Sequence, residues 1–279
     1  MSLDAQTYLT DRERIKGDVN DVEAILALSN GDTGSELSLV ESHFDSLFTW
    51  DYQKGKRPQL NKLYEKAKSS QWDGEKDLDW SIDVDIEKVV TELSVAAPGD
   101  AWIRQRGEEE GVLKNWGDKE WMQLGIEGQT WRLSQFMHGE QGALICTARI
   151  TETVPWYDAK LFAATQVVDK ARHVEVFAKY LDTKLNGFYP INAHLEALLN
   201  DIIRDSRWDM TYLGMQVMVE GLALAAFGFL HMLTNEPLLK NLLRYVMADE
   251  ARHVAFGVLS LKEAYDGMDS KEIRERRHA

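Results

Sequence analysis

Two five-residue segments, Asp169-Lys170-Ala171-Arg172-His173 and Asp249-Glu250-Ala251-Arg252-His253, agree at four of their five positions. Both lie in long runs of helical period, and an apolar continuation follows each of them. A Glu and a His three residues apart project from one face of an α-helix, so Glu250 and His253 could bind the same metal ion. One copy would be moderate evidence, because any solvated helix can carry this spacing. The repeat favours a shared buried site.

The sequence around the repeat predicts a helical protein. Pro155 is suited to the first turn of a helix, and Asn186-Gly187 and Asp266-Gly267 are usual helix ends. We therefore predict an all-α fold in which four long helices form a bundle, with additional shorter helices and no convincing strand. The predicted long helices run over 118–152, 155–185, 208–233 and 237–265, and a shorter one runs over 192–204.

The first 85 residues differ from the rest of the chain. They contain a helical stretch around Asp21–Leu28, a break at Asn30–Ser35, and an aromatic and basic region that ends in QWDGEKDLDW. The long helical pattern begins at Ile86. We predict an N-terminal arm over 1–85 that packs on a bundle domain over 86–279. The charged segment SKEIRERRHA ends the chain, which leaves open a truncation after the bundle.

Charge and cysteine content argue against several kinds of partner and site. The 279 residues carry a net charge of −14, which argues against nucleic acid or an anionic membrane as a partner. The single Cys146 excludes an intrachain disulfide and a thiolate metal cage. The N-terminus has no apolar stretch of the signal-peptide kind, so we expect a cytoplasmic location.

The segment Tyr212–Leu233 is long and apolar enough to span a bilayer, and Glu220 is its single acid. We favour a helix buried in the core of a helical protein over a membrane span. A carboxylate among apolar residues costs several kcal/mol unless it is paired, protonated or metal-bound, so Glu220 requires a partner. A protonated Glu220 hydrogen-bonded to its neighbours is the alternative to a metal ligand.

Glu140 adds a second single acid, in the first long helix. In chain order, the four long helices thus offer Glu140, then Lys170 and His173, then Glu220, then Glu250 and His253. This order resembles the ferritin-like di-iron carboxylate superfamily, which includes the ribonucleotide reductase small subunit, the bacterial multicomponent monooxygenase hydroxylases and the di-iron N-oxygenases. The resemblance covers about residues 118–265, with weaker similarity around Trp72 and Trp80.

The resemblance implies a site for two metal ions, iron first, with manganese or a mixed manganese and iron pair as alternatives. It also implies that an Asp before each ligand position orients the His of the opposite segment, and that the neighbouring Arg balances that buried acid. The implied metal ligands are Glu140, His173, Glu220, Glu250 and His253. The implied supporting residues are Asp169, Arg172, Asp249 and Arg252.

Lys170 departs from this pattern, because the resemblance implies Glu at its position. An ammonium cannot ligate a cation, and it would weaken at least one metal site. Three interpretations stay open. Lys170 could be deprotonated and act as an amine ligand. The protein could bind one metal or none and use a buried ion pair of Lys170 with Glu140, Glu220 or Glu250 structurally. Lys170 could also be a changed position in an otherwise intact site, and we lean towards lowered metal occupancy.

The function implied is an oxidoreductase that activates dioxygen to oxidise a small organic substrate, with Glu140, Glu220 and Lys170 at the reacting centre. Electrons would come from an external donor, because no flavin-binding or nicotinamide-binding glycine motif is present. The alternative is a ferritin-like protein without catalysis that serves as a partner subunit. Iron storage fits the long N-terminal arm less well, and a homodimer is an expected assembly.

Other conspicuous residues are interpreted as structural. Phe177 stands where the reductase small subunit commonly carries its radical tyrosine, which argues against that activity. Tyr180, Tyr245, Cys146 and the tryptophans are expected to pack. Histidines without a paired acid, namely His138, His194 and His231, are not expected to bind metal. The methionines Met210, Met215, Met218 and Met232 could fill the core or line a substrate tunnel.

Overall fold

The computed structural model describes residues 39–40, 44–52, 56–96, 104–107, 109, 111, 113, 115–185 and 187–277. Within these ranges the regular structure is helical and contains no strand, which confirms the predicted all-α class. The helical stretch predicted around Asp21–Leu28 and the break at Asn30–Ser35 lie outside the described residues.

The observed helices match the predicted long segments closely. Helices α3, α4 and α8 begin and end within two residues of the predicted bounds, and α6, π1 and α7 form one continuous helix over Trp208–Leu233. In chain order the elements are α1 Pro58–Ser69, α2 Ile86–Ala96, α3 Asp118–Thr153, α4 Tyr157–Lys184, α5 Ala193–Arg204, α6 Trp208–Tyr212, the π-helix π1 Leu213–Val219, α7 Glu220–Leu233, α8 Pro237–Asp266 and α9 Ser270–Arg277.

Side-chain caps fix the beginnings of two helices. The Glu236 carboxylate accepts hydrogen bonds from the backbone N–H groups of Leu238 and Leu239, at 2.7 and 2.6 Å, and Pro237 occupies the first turn of α8. Asn192 caps α5 in the same way by accepting from the N–H of His194. The cap on α8 helps to set where Glu250 and His253 lie along the bundle.

Two of the three apolar clusters in the described core form layers, one towards each end of the long helices. Each layer takes a side chain from every one of the four long helices. One layer includes Leu133, Phe177, Phe227 and Leu242, and the other includes Ile150, Phe162, Tyr212 and Phe256. On each helix, the repeat segments or the single acids lie between these two layers. The fold therefore encloses the polar residues in a buried middle section.

The described part of the predicted arm packs on this core. Helix α1 lies against α4 and α8, and its Leu60 and Ala67 are buried in the same cluster as Phe162. Trp72 and Leu78, which follow α1, are buried in the cluster of the other layer. The domain boundary at residue 85 stays a prediction.

The apolar helix Trp208–Leu233 is long and apolar enough to cross a membrane by length and composition. The prediction of a core helix is right for one side only, because just 28% of its most apolar window is buried. Phe227 faces the core, whereas Leu222 and Phe229 are exposed. Apolar composition does not reveal how many neighbours a helix has, and this one lies at the margin of the bundle.

Candidate metal centre

The six residues at the predicted ligand positions converge in the middle section of the bundle. Their side chains come from four helices, and each is at most 3% exposed. They are Glu140 of α3, Lys170 and His173 of α4, Glu220 at the start of α7, and Glu250 and His253 of α8. The two repeat segments therefore face each other across one buried cluster.

A π-helical segment delivers Glu220 to this cluster. The seven residues of π1 end immediately before Glu220, and π segments inside α-helices are rare and occur frequently at functional sites. Gly257 of α8 permits the close approach, since a Cβ on Gly257 would lie 2.6 Å from the Cβ of Gln216. Helical period alone did not predict the π segment.

Lys170 lies among all three glutamates. Its Nζ is 2.8 Å from both carboxylate oxygens of Glu250 and 3.2 Å from one oxygen each of Glu140 and Glu220. Burial by itself lowers the pKa of an ammonium, but the three carboxylates hold the pKa of Lys170 well above its usual range. These contacts are the buried ion pair of the second interpretation of Lys170.

Each histidine of the cluster is paired with the aspartate of the opposite segment. His173 Nε2 lies 3.0 Å from Asp249 Oδ2, and His253 Nε2 lies 3.1 Å from Asp169 Oδ2. The Asp of each segment therefore lies against the His of the opposite segment, where the resemblance implies an orienting residue. Because each Asp holds the Nε2 side of a ring, it fixes which way the Nδ1 side points.

The Nδ1 atoms face the glutamates. His173 Nδ1 lies 3.1 Å from Glu140 Oε2 and 3.0 Å from Glu250 Oε1, and His253 Nδ1 lies 3.4 Å from Glu250 Oε2. Glu250 therefore touches both imidazoles and Lys170. Burial alone would raise the pKa of Glu250, but Lys170 and the two histidines hold it well below its usual range.

The two arginines of the repeat contact the aspartates. Arg172 Nη2 donates to Asp169 Oδ1 and to Asp249 Oδ2, the latter at 3.2 Å. Arg252 donates to Asp249 and lies 3.7 Å from Asp169. Both buried aspartates thus carry charge-assisted hydrogen bonds from a cation as well as from an imidazole.

Three supporting residues were missed by sequence reasoning. Trp72 donates from Nε1 to Asp249 Oδ2 at 2.8 Å, and Gln71 donates to Asp169 Oδ1 at 3.0 Å. Gln166 donates to Glu220 Oε1 at 2.8 Å. Gln71 and Trp72 precede the first repeat segment by about 100 residues and the second by more. No local spacing in the sequence therefore identifies them. Gln166 lies one helical turn before Lys170, which is the only sequence signal available.

The cluster is electrically balanced when both imidazoles are protonated. With all acids ionised, five carboxylates, from three Glu and two Asp, then face five cations, from Lys170, two Arg and two His. Burial raises the pKa of Glu220 to about 7, so this count applies above pH 7. Burial opposes charge on the imidazoles, yet the Glu140 carboxylate and the Asp249 hydrogen bond raise the pKa of His173 well above its usual range. Against the same opposition, Glu250 and Asp169 raise the pKa of His253 to about 9.

Two groups of side chains in the cluster could hold a metal ion. They are Glu140, His173 and Glu250, and Glu220, Glu250 and His253, and in each group the ligand atoms lie within 4.8 Å of one another. Carboxylate and imidazole are suitable donors for iron or manganese, although the donors do not identify the metal. The Lys170 ammonium touches a carboxylate of both groups.

The net charge of the cluster limits the number of metal ions that it can hold. With neutral imidazoles and a protonated Lys170, two negative charges stay uncompensated, which matches one divalent cation. Two divalent ions would leave a buried excess of two positive charges. The residues therefore fit a single divalent ion, and the expected pair does not fit while Lys170 is charged.

Two other residues that were interpreted as structural, Phe177 and Cys146, are buried in the core. Phe177 packs against Phe136 and Phe227, and Cys146 is fully buried. His138 Nε2 lies 2.8 Å from the backbone oxygen of Tyr189, away from the cluster. Of the methionines, Met215 is buried, whereas Met218 and Met232 are exposed, so neither of these two fills the core.

The metal-free protein should lose stability as the pH rises. An imidazole with a raised pKa stabilises the fold fully below its unfolded pKa of about 6.5, and the contribution is lost as the pH rises through the folded value. For His253 the folded pKa is about 9, so the contribution is lost as the pH rises through that value. The pKa shift corresponds to about 3 kcal/mol in the free energy of unfolding. Urea denaturation in chelator at pH 6.5 and pH 9.5 measures the difference. A free energy of unfolding that stays level or rises would contradict charged imidazoles.

Comparison of the chain with protein-family models, with curated proteins and with solved structures found no match.

Proposed function

We propose that this chain is a ferritin-like, metal-dependent oxidoreductase that activates dioxygen to oxidise a small organic substrate, and that Lys170 restricts its metal loading. The observation that carries the proposal is the pair of ligand groups that share Glu250, with each His oriented by the Asp of the other segment. Two buried Asp residues that orient buried imidazoles towards carboxylates are typical of a metal centre and are costly in an ordinary core.

The roles of the chain's own residues follow from their contacts. Glu140, His173 and Glu250 would hold one ion, and the group of Glu220, Glu250 and His253 offers a second position. A redox-active metal held there would supply the electron transfer needed to reduce dioxygen. The apolar layers on either side of the cluster exclude water, and Asp169 and Asp249 keep the rings in place. An external donor would supply electrons.

A second candidate is favoured by the contacts of Lys170. A buried ammonium that satisfies three carboxylates can replace a metal as the cation of the cluster, and the protein would then be a ferritin-like partner subunit without catalysis. The two candidates differ in whether the unaltered chain binds a metal when Lys170 is charged.

Oxygen consumption distinguishes the candidates. The unaltered chain, Lys170→Glu and Lys170→Glu/Glu250→Gln are loaded anaerobically with Fe(II), supplied with a chemical reductant and mixed with oxygenated buffer. We expect Lys170→Glu to consume oxygen at least about tenfold faster than the double variant, because Glu250 belongs to both groups. The unaltered chain should fall between them. Equal background rates in all three proteins would overturn the oxidoreductase proposal and leave the partner-subunit candidate.

A further inference from the structure

A small pocket lies at the end of the bundle where α4 begins, apart from the metal centre. Its volume is about 270 Å³, and its lining comes from the residues before α1 and from the beginning of α4. Asp158, in the first turn of α4, lies roughly 18 Å along this helix from Lys170. The charged and aromatic residues that line the pocket, called the α4 pocket below, are Asp51, Lys56, Arg57, Trp156, Tyr157 and Asp158.

Both cations of the α4 pocket are already paired with an acid. Lys56 Nζ donates to Asp51 Oδ2. Arg57 donates to the Glu263 carboxylate of α8 from Nε at 2.9 Å and from Nη2 at 2.6 Å. The Arg57 guanidinium also lies over the Trp156 ring, with Cζ 4.5 Å from the ring centroid. The charges of these two ion pairs cancel.

Asp158 is the remaining charge of the α4 pocket. It is only 4% exposed, and its side chain lines the pocket. Among the residues that the structure describes, none donates a hydrogen bond to this carboxylate or forms an ion pair with it. The dipole of α4 favours a negative charge in the first turn of the helix. A buried carboxylate without a partner is unfavourable, so the pocket is complementary to one positive charge.

We propose that the α4 pocket binds a small organic cation, namely a primary amine whose ammonium group donates to the Asp158 carboxylate. The Tyr157 and Trp156 rings supply the aromatic surface that attracts an organic cation, and Pro155 adds an apolar contact. The volume is near the lower end of the range for ligand pockets, roughly 300–1,000 Å³, which limits the ligand to a small molecule. This proposal does not depend on the metal centre.

An amine suits the α4 pocket better than a metal ion does. A hard cation such as Ca²⁺ takes about six to eight oxygen ligands. The second acid of the pocket, Asp51, is bound to Lys56, whose ammonium repels a metal ion. An ammonium group requires only one free carboxylate, and Asp158 provides it.

Isothermal titration of the full chain at pH 7 and constant ionic strength tests the choice of ligand. Phenethylamine is the probe, 2-phenylethanol is its uncharged match, and 3-phenylpropanoate is its anionic match. We expect the amine to bind at least about tenfold more tightly than either match, because only the ammonium pairs with the carboxylate. Equal affinities for the amine and the alcohol, or no binding of the amine, would overturn the proposal.

Asp158→Asn tests the place of binding, because the amide keeps the shape of the side chain and removes its charge. We expect the affinity for phenethylamine to fall at least about tenfold, with helical circular dichroism preserved. Asp182→Asn is the matched control, since Asp182 is exposed on the same helix, and its affinity should not change. Unchanged amine binding by Asp158→Asn would contradict the site.

Two further outcomes are decisive. If Asp158→Asn does not fold, the comparison of the amine with the alcohol on the unaltered chain still decides whether charge is recognised. Displacement of phenethylamine by Ca²⁺ at constant ionic strength would overturn the choice of an organic cation over a metal ion.

Discussion

Lys170→Glu is expected to raise the divalent metal bound by the purified protein from at most one ion to two ions per chain. The substitution removes the ammonium that lies within 3.2 Å of all three glutamates and adds a sixth carboxylate. With neutral imidazoles, six carboxylates against Arg172 and Arg252 leave four negative charges, which two divalent ions would balance. Both ligand groups would then be free of a competing cation.

Metal analysis after reconstitution with Fe(II) or Mn(II) and desalting measures this change. Lys170→Gln is the matched control, because it removes the ammonium without adding a carboxylate, and we expect it to bind about one ion. Near-zero metal in Lys170→Glu would contradict the assignment of the cluster as a metal centre. Two ions bound by the unaltered chain would contradict the role of Lys170 in limiting metal loading.

The second large effect concerns the stability of the metal-free protein. Lys170→Met is expected to lower the free energy of unfolding at pH 7 by about 3–5 kcal/mol, because removing one partner of a buried ion pair leaves uncompensated buried charge. Here one ammonium serves three carboxylates, each at most 3% exposed. Near pH 5 the loss should be smaller, because the carboxylates left without Lys170 take up protons more readily.

Urea denaturation in the presence of a chelator measures this loss. Lys62→Met is the matched control, since Lys62 is exposed on α1 and a substitution there should change the free energy of unfolding by less than about 0.5 kcal/mol. If both lysine variants unfold at the same urea concentration at pH 7, Lys170 does not hold the cluster together. In that case the carboxylates must be neutralised by protons.

The side chain at position 170 thus has opposite effects on metal binding and on the stability of the metal-free protein. As an ammonium, Lys170 stabilises a cluster of like charges and opposes metal binding. As a glutamate, it would increase the negative charge and require metal. The two experiments are independent, since the first counts ions in the presence of metal and the second measures folding in their absence.

The sequence alone determined the long helices and the six ligand positions of the cluster. Helical period, prolines and glycines place α3, α4 and α8 within two residues of their observed bounds, because these signals are local. The resemblance that the duplicated segment carries implied that Asp169 and Asp249 orient His253 and His173, and the two Asp–His pairs lie 3.1 and 3.0 Å apart in the structure.

Only the tertiary structure showed which carboxylates surround Lys170 and which residues support the cluster. The sequence left three interpretations of this residue open, and the choice depends on distances to carboxylates from three other helices. Trp72 reaches Asp249 across 177 residues of chain, which no local pattern can encode. The exposure of one side of the helix Trp208–Leu233 was likewise not visible in the sequence, because hydropathy measures composition, whereas exposure depends on which neighbours a helix has.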